Sequence, residues 1–130
     1  MTEFKNLKKI LTARPGAERA LNCFLCGTCT AGCPISEIDE GYNPRKIMRQ
    51  ILLELKDEIL SSGDIWKCYQ CHTCVAHCPQ DVRFADIVRA LREIAVEEGF
   101  YESGLAEKVE QLDLESRKQR LEKVRGLLEK

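Results

Sequence analysis

Two cysteine runs with the same spacing dominate the chemistry of this 130-residue chain. The first, CFLCGTCTAGCP, extends from Cys23 to Pro34, and the second, CYQCHTCVAHCP, extends from Cys68 to Pro79. Both follow the pattern C-x2-C-x2-C-x3-C-P. Three closely spaced thiolates can bind three adjacent iron corners of a cubane [4Fe–4S] cluster, but the fourth corner faces away from the loop and needs a ligand from elsewhere. Each run is therefore incomplete alone.

The fourth cysteine of such a run ligates the other cluster of a two-cluster protein. The proline after it favours an extended backbone that leads the chain out of the loop. The sequence therefore predicts two [4Fe–4S] clusters that exchange one ligand each, and all eight cysteines are used. The predicted ligands of cluster 1 are Cys23, Cys26, Cys29 and Cys78. The predicted ligands of cluster 2 are Cys68, Cys71, Cys74 and Cys33.

Zinc and disulfides are the alternative uses of these cysteines. Two zinc ions, each held by four thiolates, are chemically possible, but they would not require cysteine triplets or prolines. Disulfides are disfavoured, because the start of the chain lacks the apolar region and cleavage site of a signal peptide. We therefore expect a cytoplasmic protein whose thiols stay reduced. No apolar run is long enough for a membrane span, so membrane insertion is not expected.

The overall composition excludes several classes of function. A formal net charge of −1 and an aromatic content of 6% argue against a nucleic-acid partner. The chain has no Gly-rich nucleotide fingerprint for a flavin. It also shows no nucleophile–base pair, so we predict no catalytic residues and no cofactor beyond the clusters. Two one-electron centres without an open coordination position predict conduction of electrons, not bond-making.

Helices must position the two cysteine loops. Residues 1–20 read as an N-terminal amphipathic helix stopped by Pro15-Gly16. Residues 21–63 and 64–100 are two copies of one unit, a cysteine loop followed by an amphipathic helix, which predicts a pseudo-two-fold domain over 21–100. The apolar positions of the N-terminal helix are Phe4, Leu7, Ile10 and Leu11.

The two long helices of the repeat have clear limits. We predict that the first is a single helix, capped by Asn43, with Pro44 at its first position and Gly63 as its stop signal. Its apolar stripe contains Ile47, Ile51, Leu55 and Ile59, widened by Met48, Leu52 and Leu60. The second helix ends near Gly99, and its apolar face carries Phe84, Ile87, Val88, Leu91, Ile94 and Ala95.

Residues 101–130 form a charged, helical C-terminal tail. Leucines and valines recur at helical spacing, and charges fill the other faces. The tail can lie against its own domain or dock on a partner subunit, and the sequence does not separate these alternatives.

Residues beside the cysteines have smaller predicted roles. Gly27 and Gly32 are expected to let the first loop wrap closely around its cluster. His72 and His77 occupy the same places in the second loop and are expected to be surface residues or to lie behind the ligands. Trp66 is expected to pack beside cluster 2.

The predicted helix between the two cysteine runs distinguishes the chain from small bacterial ferredoxins, which are rich in β-structure. It favours the α-helical ferredoxin architecture instead. Whole segments then resemble HdrC, the small iron–sulfur subunit of heterodisulfide reductase. These segments are CFLCGTCTAGCPI, YNPRKIMRQILL and IWKCYQCHTCVAHCPQDVRFADIVRALREIA. The resemblance covers about residues 18–100. It implies a mainly α fold with two cluster-binding loops between packed helices.

The resemblance also implies a role inside a complex. In that family, HdrC passes electrons between a flavin and iron–sulfur subunit (HdrA-like) and a catalytic subunit with cysteine-rich CCG domains (HdrB-like). The present chain has no CCG motif, so it is expected to be a non-catalytic electron relay. The competing interpretations are a free-standing dicluster ferredoxin that serves several enzymes, and a zinc-bound interaction module without a redox role.

Overall fold

A computed structural model describes residues 6–129, which form helices and turns and contain no β-strand. The predicted mainly α fold is confirmed. Two short 3₁₀ turns, Ala20–Asn22 and Asp64–Trp66, precede the two cysteine loops. The α-helices are α1 (Leu7–Thr12), α2 (Thr28–Ala31), α3 (Pro34–Ile38), α4 (Pro44–Leu52), α5 (Lys56–Ser61), α6 (Thr73–His77), α7 (Phe84–Glu97) and α8 (Leu105–Leu128).

Helix α4 begins where the sequence predicts. The side chain of Asn43 accepts a hydrogen bond from the backbone N–H of Lys46 at 3.1 Å, and Pro44 occupies the first helical position. An N-cap oxygen satisfies one of the first amide groups, which have no partner inside the helix. The helix start is thus determined locally.

The predicted single helix up to Gly63 is wrong, because the chain breaks between α4 and α5. Glu54 lies in the break with φ of +59°, a left-handed conformation that a right-handed helix cannot contain. Its carboxylate accepts hydrogen bonds from the backbone N–H groups of Leu7 at 3.1 Å and Lys8 at 3.2 Å. Glu54 therefore caps the start of α1, and this long-range contact accompanies the interruption of the apolar periodicity.

Helix α1 is shorter than the amphipathic segment predicted for residues 1–20. Leu7 and Leu11 are fully buried, whereas Phe4 lies outside the described residues. After α1 the chain turns at Gly16, whose φ is +88°. A Cβ at this position would lie 2.8 Å from the Cβ of Asp86, so the turn requires glycine both for its conformation and for the close approach of α7.

Helix α7 lies at the centre of the core. Its limits agree with the predicted second helix, and Gly99 follows it with φ of +84°. It packs against α1, α5 and α6, and its six predicted apolar residues are all buried. The rest of the buried core comes from α1, α4, α5 and the connecting turns: Leu7, Leu11, Ala17, Ala20, Tyr42, Ile47, Met48, Ile51, Ile59, Leu60, Ile65 and Val82.

The two cysteine loops have closely similar backbones. Leu25 and Gln70, at the same place in each loop, have φ of +60° and +59°. Two residues later, Gly27 and His72 have φ of +85° and +62°. Gly27 thus adopts a left-handed conformation, and His72 adopts the same conformation although it has a Cβ. The two loops continue into α2 and α6, which pack against each other.

Gly32 has an ordinary φ of −98°. It lies where the two halves approach each other. A Cβ at Gly32 would lie 3.4 Å from the Cγ2 of Thr73, so the absent side chain allows α2 and α6 to pack closely.

The predicted tail helix is present as α8, and none of its residues is buried. Its first half passes the second cysteine loop, where Val109 and Leu112 border the same groove as Trp66. Leu112, Leu121, Leu127 and Leu128 are exposed. Among residues 6–129, no helix combines the length and the apolar character needed to cross a membrane.

Candidate metal centres

The eight cysteines surround two cavities between the loops. Each cavity is bordered by the first three cysteines of one loop and by the fourth cysteine of the other. The first cavity contains Cys23, Cys26, Cys29 and Cys78 in its lining. The second contains Cys33, Cys68, Cys71 and Cys74. The structure brings all eight cysteines to the two cavities, and each cavity is bordered by five of them.

The two cavities are neighbours. Cys29 also borders the second cavity, and Cys74 also borders the first. These two cysteines lie in α2 and α6, which pack against each other. Two redox centres in these cavities would be separated by little protein. Because electron tunnelling slows steeply with distance, this proximity favours transfer between them.

Hydrogen bonds to sulfur follow the repeat. The backbone N–H groups of Leu25 and Gln70 each donate to the Sγ two residues earlier, Cys23 and Cys68, at 3.4 Å. The backbone N–H of Val82 likewise donates to Cys78 Sγ at 3.4 Å. Such donors stabilise the thiolate form of a cysteine, which is the form that binds metal.

A threonine contacts the second cysteine of each loop. The hydroxyl of Thr28 lies 3.2 Å from Cys26 Sγ, and that of Thr73 lies 3.4 Å from Cys71 Sγ. The hydrogen bond with Thr28 is the main cause that lowers the pKa of the exposed Cys26 thiol. The shared threonines of the two runs thus support equivalent sulfur atoms.

The more enclosed thiols resist ionisation. Burial raises the pKa values of Cys23, Cys29 and Cys68, and it is the main cause that raises the pKa of Cys74 to about 12. Thiol ligands lose their protons when metal binds. Iron incorporation at these positions must therefore release protons.

Side chains from the helices hold the loops in place. Arg45 Nε donates to the carbonyl oxygen of Leu25 at 2.7 Å. In the second half, the buried Arg92 donates to the carbonyl oxygens of Ile65 at 2.7 Å and Cys68 at 2.8 Å. Arg92 is a site residue that the sequence reasoning missed, because an arginine on an apolar helix face gives no sign of its partners.

Tyr42 is a second residue that the sequence reasoning missed. It borders the second cavity, is only 1% exposed, and its hydroxyl makes no hydrogen bond of good geometry among the described residues, although the sulfur of Cys68 is placed to accept from it. Burial raises the pKa of the Tyr42 phenol far above its usual range, and the neighbouring thiolates of Cys68 and Cys33 raise it further. The sequence feature that could have indicated its role is its place directly before the helix start at Asn43-Pro44.

The two histidines and the tryptophan that were expected beside the cysteines all belong to the second half of the repeat. His72 borders the second cavity at its exposed side, and His77 is exposed at the end of α6. Trp66 packs beside the second loop, with its ring in edge-to-face contact with Tyr101 at 5.3 Å and under the Arg92 guanidinium at 5.3 Å.

The donor set fits [4Fe–4S] clusters. Each cavity is bordered by five cysteines, whose thiolates are the ligands that such clusters take, and the described lining residues include no carboxylate. Within residues 6–129, no three His, Cys, Asp or Glu side chains are arranged to hold a single metal ion.

Residues 7–83 match the family model of the 4Fe–4S dicluster domain. The chain belongs to this family. The prediction of two [4Fe–4S] clusters as cofactors, with the α-helical dicluster fold, is thereby confirmed.

Curated relatives agree with the resemblance to HdrC. The C2 iron-sulfur subunit of CoB–CoM heterodisulfide reductase from Methanocaldococcus jannaschii is 47% identical over 77 residues, which are 59% of this chain and 40% of the relative. The C2 subunit of the H2/formate:CoB–CoM heterodisulfide,ferredoxin reductase from Methanococcus maripaludis is 45% identical over 78 residues, 60% and 41% of the two chains.

A third relative, the C-type iron-sulfur subunit of CoB–CoM heterodisulfide reductase from Methanopyrus kandleri, is 42% identical over 78 residues, 60% of this chain and 40% of the relative. The matched part of the chain thus spans about two fifths of the length of these relatives. The resemblance itself is confirmed.

Proposed function

We propose that this chain relays single electrons through two [4Fe–4S] clusters as the iron–sulfur subunit of a heterodisulfide reductase-like complex. The observation that carries the proposal is the pair of adjacent cavities, each bordered by five of the eight cysteines. A [4Fe–4S] cluster with four thiolate ligands takes up and releases one electron without binding a substrate. The protein holds the clusters close together and sets their potentials.

The proposed ligands are the two sets of four cysteines predicted from the spacing. The lining of the cavities supports this assignment, because Cys33 borders the cavity of the second loop and Cys78 borders that of the first. The backbone N–H contacts to sulfur support it further, since they favour thiolates at Cys23, Cys68 and Cys78. The exchange of Cys33 and Cys78 couples folding of the two halves to cluster insertion.

The proposed partners are an HdrA-like flavin and iron–sulfur subunit and an HdrB-like subunit with CCG domains, in a cytoplasmic complex. The names of the relatives, each of which is the C-type subunit of a heterodisulfide reductase, support this part of the proposal. Helix α8 supports a subunit role as well, because its side chains find no buried position within the described chain. A free-standing dicluster ferredoxin is the alternative. Such a carrier needs little more than its cluster-binding domain, so this helix would not be required for its function.

Anaerobic purification tests the redox part of the proposal. We expect a brown protein with about eight iron and about eight sulfide per chain, and with signals of two coupled clusters after reduction. A colourless protein that contains two zinc ions would contradict it, because such a protein has no one-electron centre.

Affinity purification of the tagged full-length chain from its native host tests the complex. The expected result is recovery with a flavoprotein and a CCG-domain protein in constant ratio. A matched sample that carries Leu121→Glu and Leu128→Glu on the exposed face of α8 tests whether this helix contributes to binding. Recovery of the unaltered chain only as a small monomer would favour the free-standing ferredoxin.

A further inference from the structure

The second cavity contains a buried donor without a well-aligned acceptor. The Tyr42 hydroxyl makes no hydrogen bond of good geometry among residues 6–129, the residue is 1% exposed, and the group placed to accept from it is the sulfur of Cys68. Leaving a buried hydroxyl unpaired costs free energy, and buried polar groups in native proteins almost always have a partner. The side chain borders the cavity together with Cys33, Cys68 and Cys74. A sulfur-rich cofactor in this cavity would provide the acceptor.

The pseudo-two-fold repeat gives this position a counterpart in the other half. Aligning Ile47 of α4 with Ile87 of α7 places Tyr42 opposite Val82. Both residues lie just before a long helix and are buried, and each borders the cavity built on the cysteine loop of the other half. Valine has no donor in its side chain. The two cavities are therefore alike in their thiols but differ in one buried hydroxyl.

We propose that the Tyr42 hydroxyl donates a hydrogen bond to a sulfur atom of the second cluster and raises its reduction potential above that of the first. The inference depends on the clusters of the proposed function. The acceptor is a sulfide of the cluster or a cysteine Sγ that binds it. Tyr42 is a tuning residue, because it changes the stability of the reduced centre and does not bind iron.

The electrostatic argument follows from the charge of the reduced state. Reduction adds one electron, supplied by an external reductant, and adds one negative charge to the cluster without uptake of a proton. A hydrogen-bond donor stabilises this added charge most strongly in a site from which water is excluded. Valine at position 82 offers no such stabilisation to the first cluster. A cluster bound by the second loop would therefore be easier to reduce than one bound by the first.

The nearby arginines act in the same direction. Arg92 is 6% exposed and donates to the carbonyl oxygen of the ligand Cys68. Arg45, which holds the first loop, is exposed, so water screens its charge more effectively. The buried Arg92 and the Tyr42 hydroxyl would both stabilise an added electron at the second cluster more than at the first. Only the hydroxyl can be removed with almost no change in shape.

Tyr42→Phe in the full-length, cluster-loaded chain tests the proposal. We expect the reduction equilibrium of the second cluster to become about tenfold less favourable, which corresponds to about 59 mV for one electron. The potential of the first cluster should stay the same. Redox titration followed by electron paramagnetic resonance measures both values. The ligand variants Cys71→Ser and Cys26→Ser identify which signal belongs to which cluster.

Tyr101→Phe is the matched control. The Tyr101 hydroxyl donates to the carbonyl oxygen of Ser61 at 3.2 Å, and the residue borders neither cysteine-lined cavity. Its removal should leave both potentials unchanged. Equal shifts of both clusters in Tyr42→Phe, or no shift at full iron content, would overturn the inference.

A second substitution covers the case in which Tyr42→Phe loses the second cluster. Incorporation of 3-fluorotyrosine at position 42 keeps the hydroxyl and makes it a stronger donor, so the potential of the second cluster should rise. A fall or no change would overturn the inference. A wild-type chain that lacks about eight iron would instead contradict the proposed function. The two failures are thus distinguishable.

Discussion

The two halves of the molecule make the same contact between loop and helix with the donor and the acceptor exchanged. In the first half, Arg45 of α4 donates through its side chain to the backbone carbonyl of Leu25 in the loop. In the second half, Gln70 in the loop donates through its side chain to the backbone carbonyl of Ala85 in α7, at 3.1 Å. Leu25 corresponds to Gln70 in the repeat, and Arg45 corresponds to Ala85. The repeat therefore reproduces a backbone arrangement, and different side chains maintain it.

The environments of these contacts differ more than their geometry. The first loop is held from the surface, by the exposed Arg45 and by Thr30, whose hydroxyl donates to Asn43 Oδ1 at 2.9 Å. The second loop is held from the interior by the hydrogen bond from Arg92 to the carbonyl oxygen of Cys68. The buried Tyr42 borders the cavity beside this loop. Buried polar contacts are costly to lose, because water does not replace them. We therefore expect the second half to be more sensitive to substitution than the first.

The largest expected effect comes from replacing either of the two cysteines that are proposed to bind the cluster of the opposite loop. Cys33→Ser should remove the cluster of the second loop, and Cys78→Ser should remove that of the first, so that each variant retains about four iron. The reason is that each residue borders the cavity of the opposite loop. Iron analysis and electron paramagnetic resonance of the reduced proteins measure the loss.

Cys68→Ser and Cys23→Ser are the matched controls for this exchange. Cys68→Ser should have the spectrum of Cys33→Ser, and Cys23→Ser should have that of Cys78→Ser. The opposite pairing would show that each run binds its own cluster completely, and it would refute the crossed arrangement of ligands.

The next largest effect is expected at Arg92. Arg92→Met keeps the apolar part of the side chain but leaves the buried carbonyl oxygens of Ile65 and Cys68 without their donor. We expect a loss of about 2–4 kcal/mol in the free energy of unfolding, because two charged hydrogen bonds disappear. Anaerobic urea unfolding of the cluster-loaded chain measures it.

Two further arginines calibrate that result. Arg45→Met removes the corresponding support of the first loop, but water can replace it at the exposed surface, so its effect should be smaller. Arg89→Met, at an exposed position of α7, should have almost none. If Arg45→Met destabilised the protein as much as Arg92→Met, the difference between the halves would not lie in burial.

The sequence predicted the parts of the fold that depend on local signals. Cysteine spacing predicted that thiols from both runs would lie together around two sites, and Asn43-Pro44 predicted the start of α4. The break at Glu54 was not predictable, because the apolar spacing continues through it and its partners, Leu7 and Lys8, are distant in the chain. Tyr42 and Arg92 were missed for the same reason. Their roles depend on which buried groups they meet, and this information is absent from periodicity.

Substitution of Glu54 tests the break between α4 and α5, which is present in the first half and has no equivalent in the second. Its counterpart in α7 is Ile94, where the helix continues without interruption. Glu54→Ala should cost about 1 kcal/mol, because the first amides of α1 lose their cap, while Glu54→Gln should cost less because it keeps an acceptor oxygen. Urea unfolding measures both, with Glu40→Ala as an exposed control. A stabilised Glu54→Ala variant would mean that the break, not the cap, dominates the energy.

The smallest effects are expected at the left-handed positions of the two loops. Gly27→Ala places a Cβ at φ of +85°, and its nearest neighbour, Arg45 Cδ at 3.5 Å, is at ordinary contact distance. The cost should therefore be conformational, about 1 kcal/mol. His72→Gly relieves the same strain in the second loop, but the more flexible glycine stabilises the unfolded chain by about 0.4–1 kcal/mol.

The two contributions at position 72 nearly cancel, so His72→Gly should change the free energy of unfolding by much less than Gly27→Ala. Urea unfolding at equal iron content measures the difference, and loss of iron in either variant would be detected separately. A marked destabilisation in His72→Gly would show that the imidazole makes a contact the second loop needs. The two loops would then share their backbone conformation for different reasons.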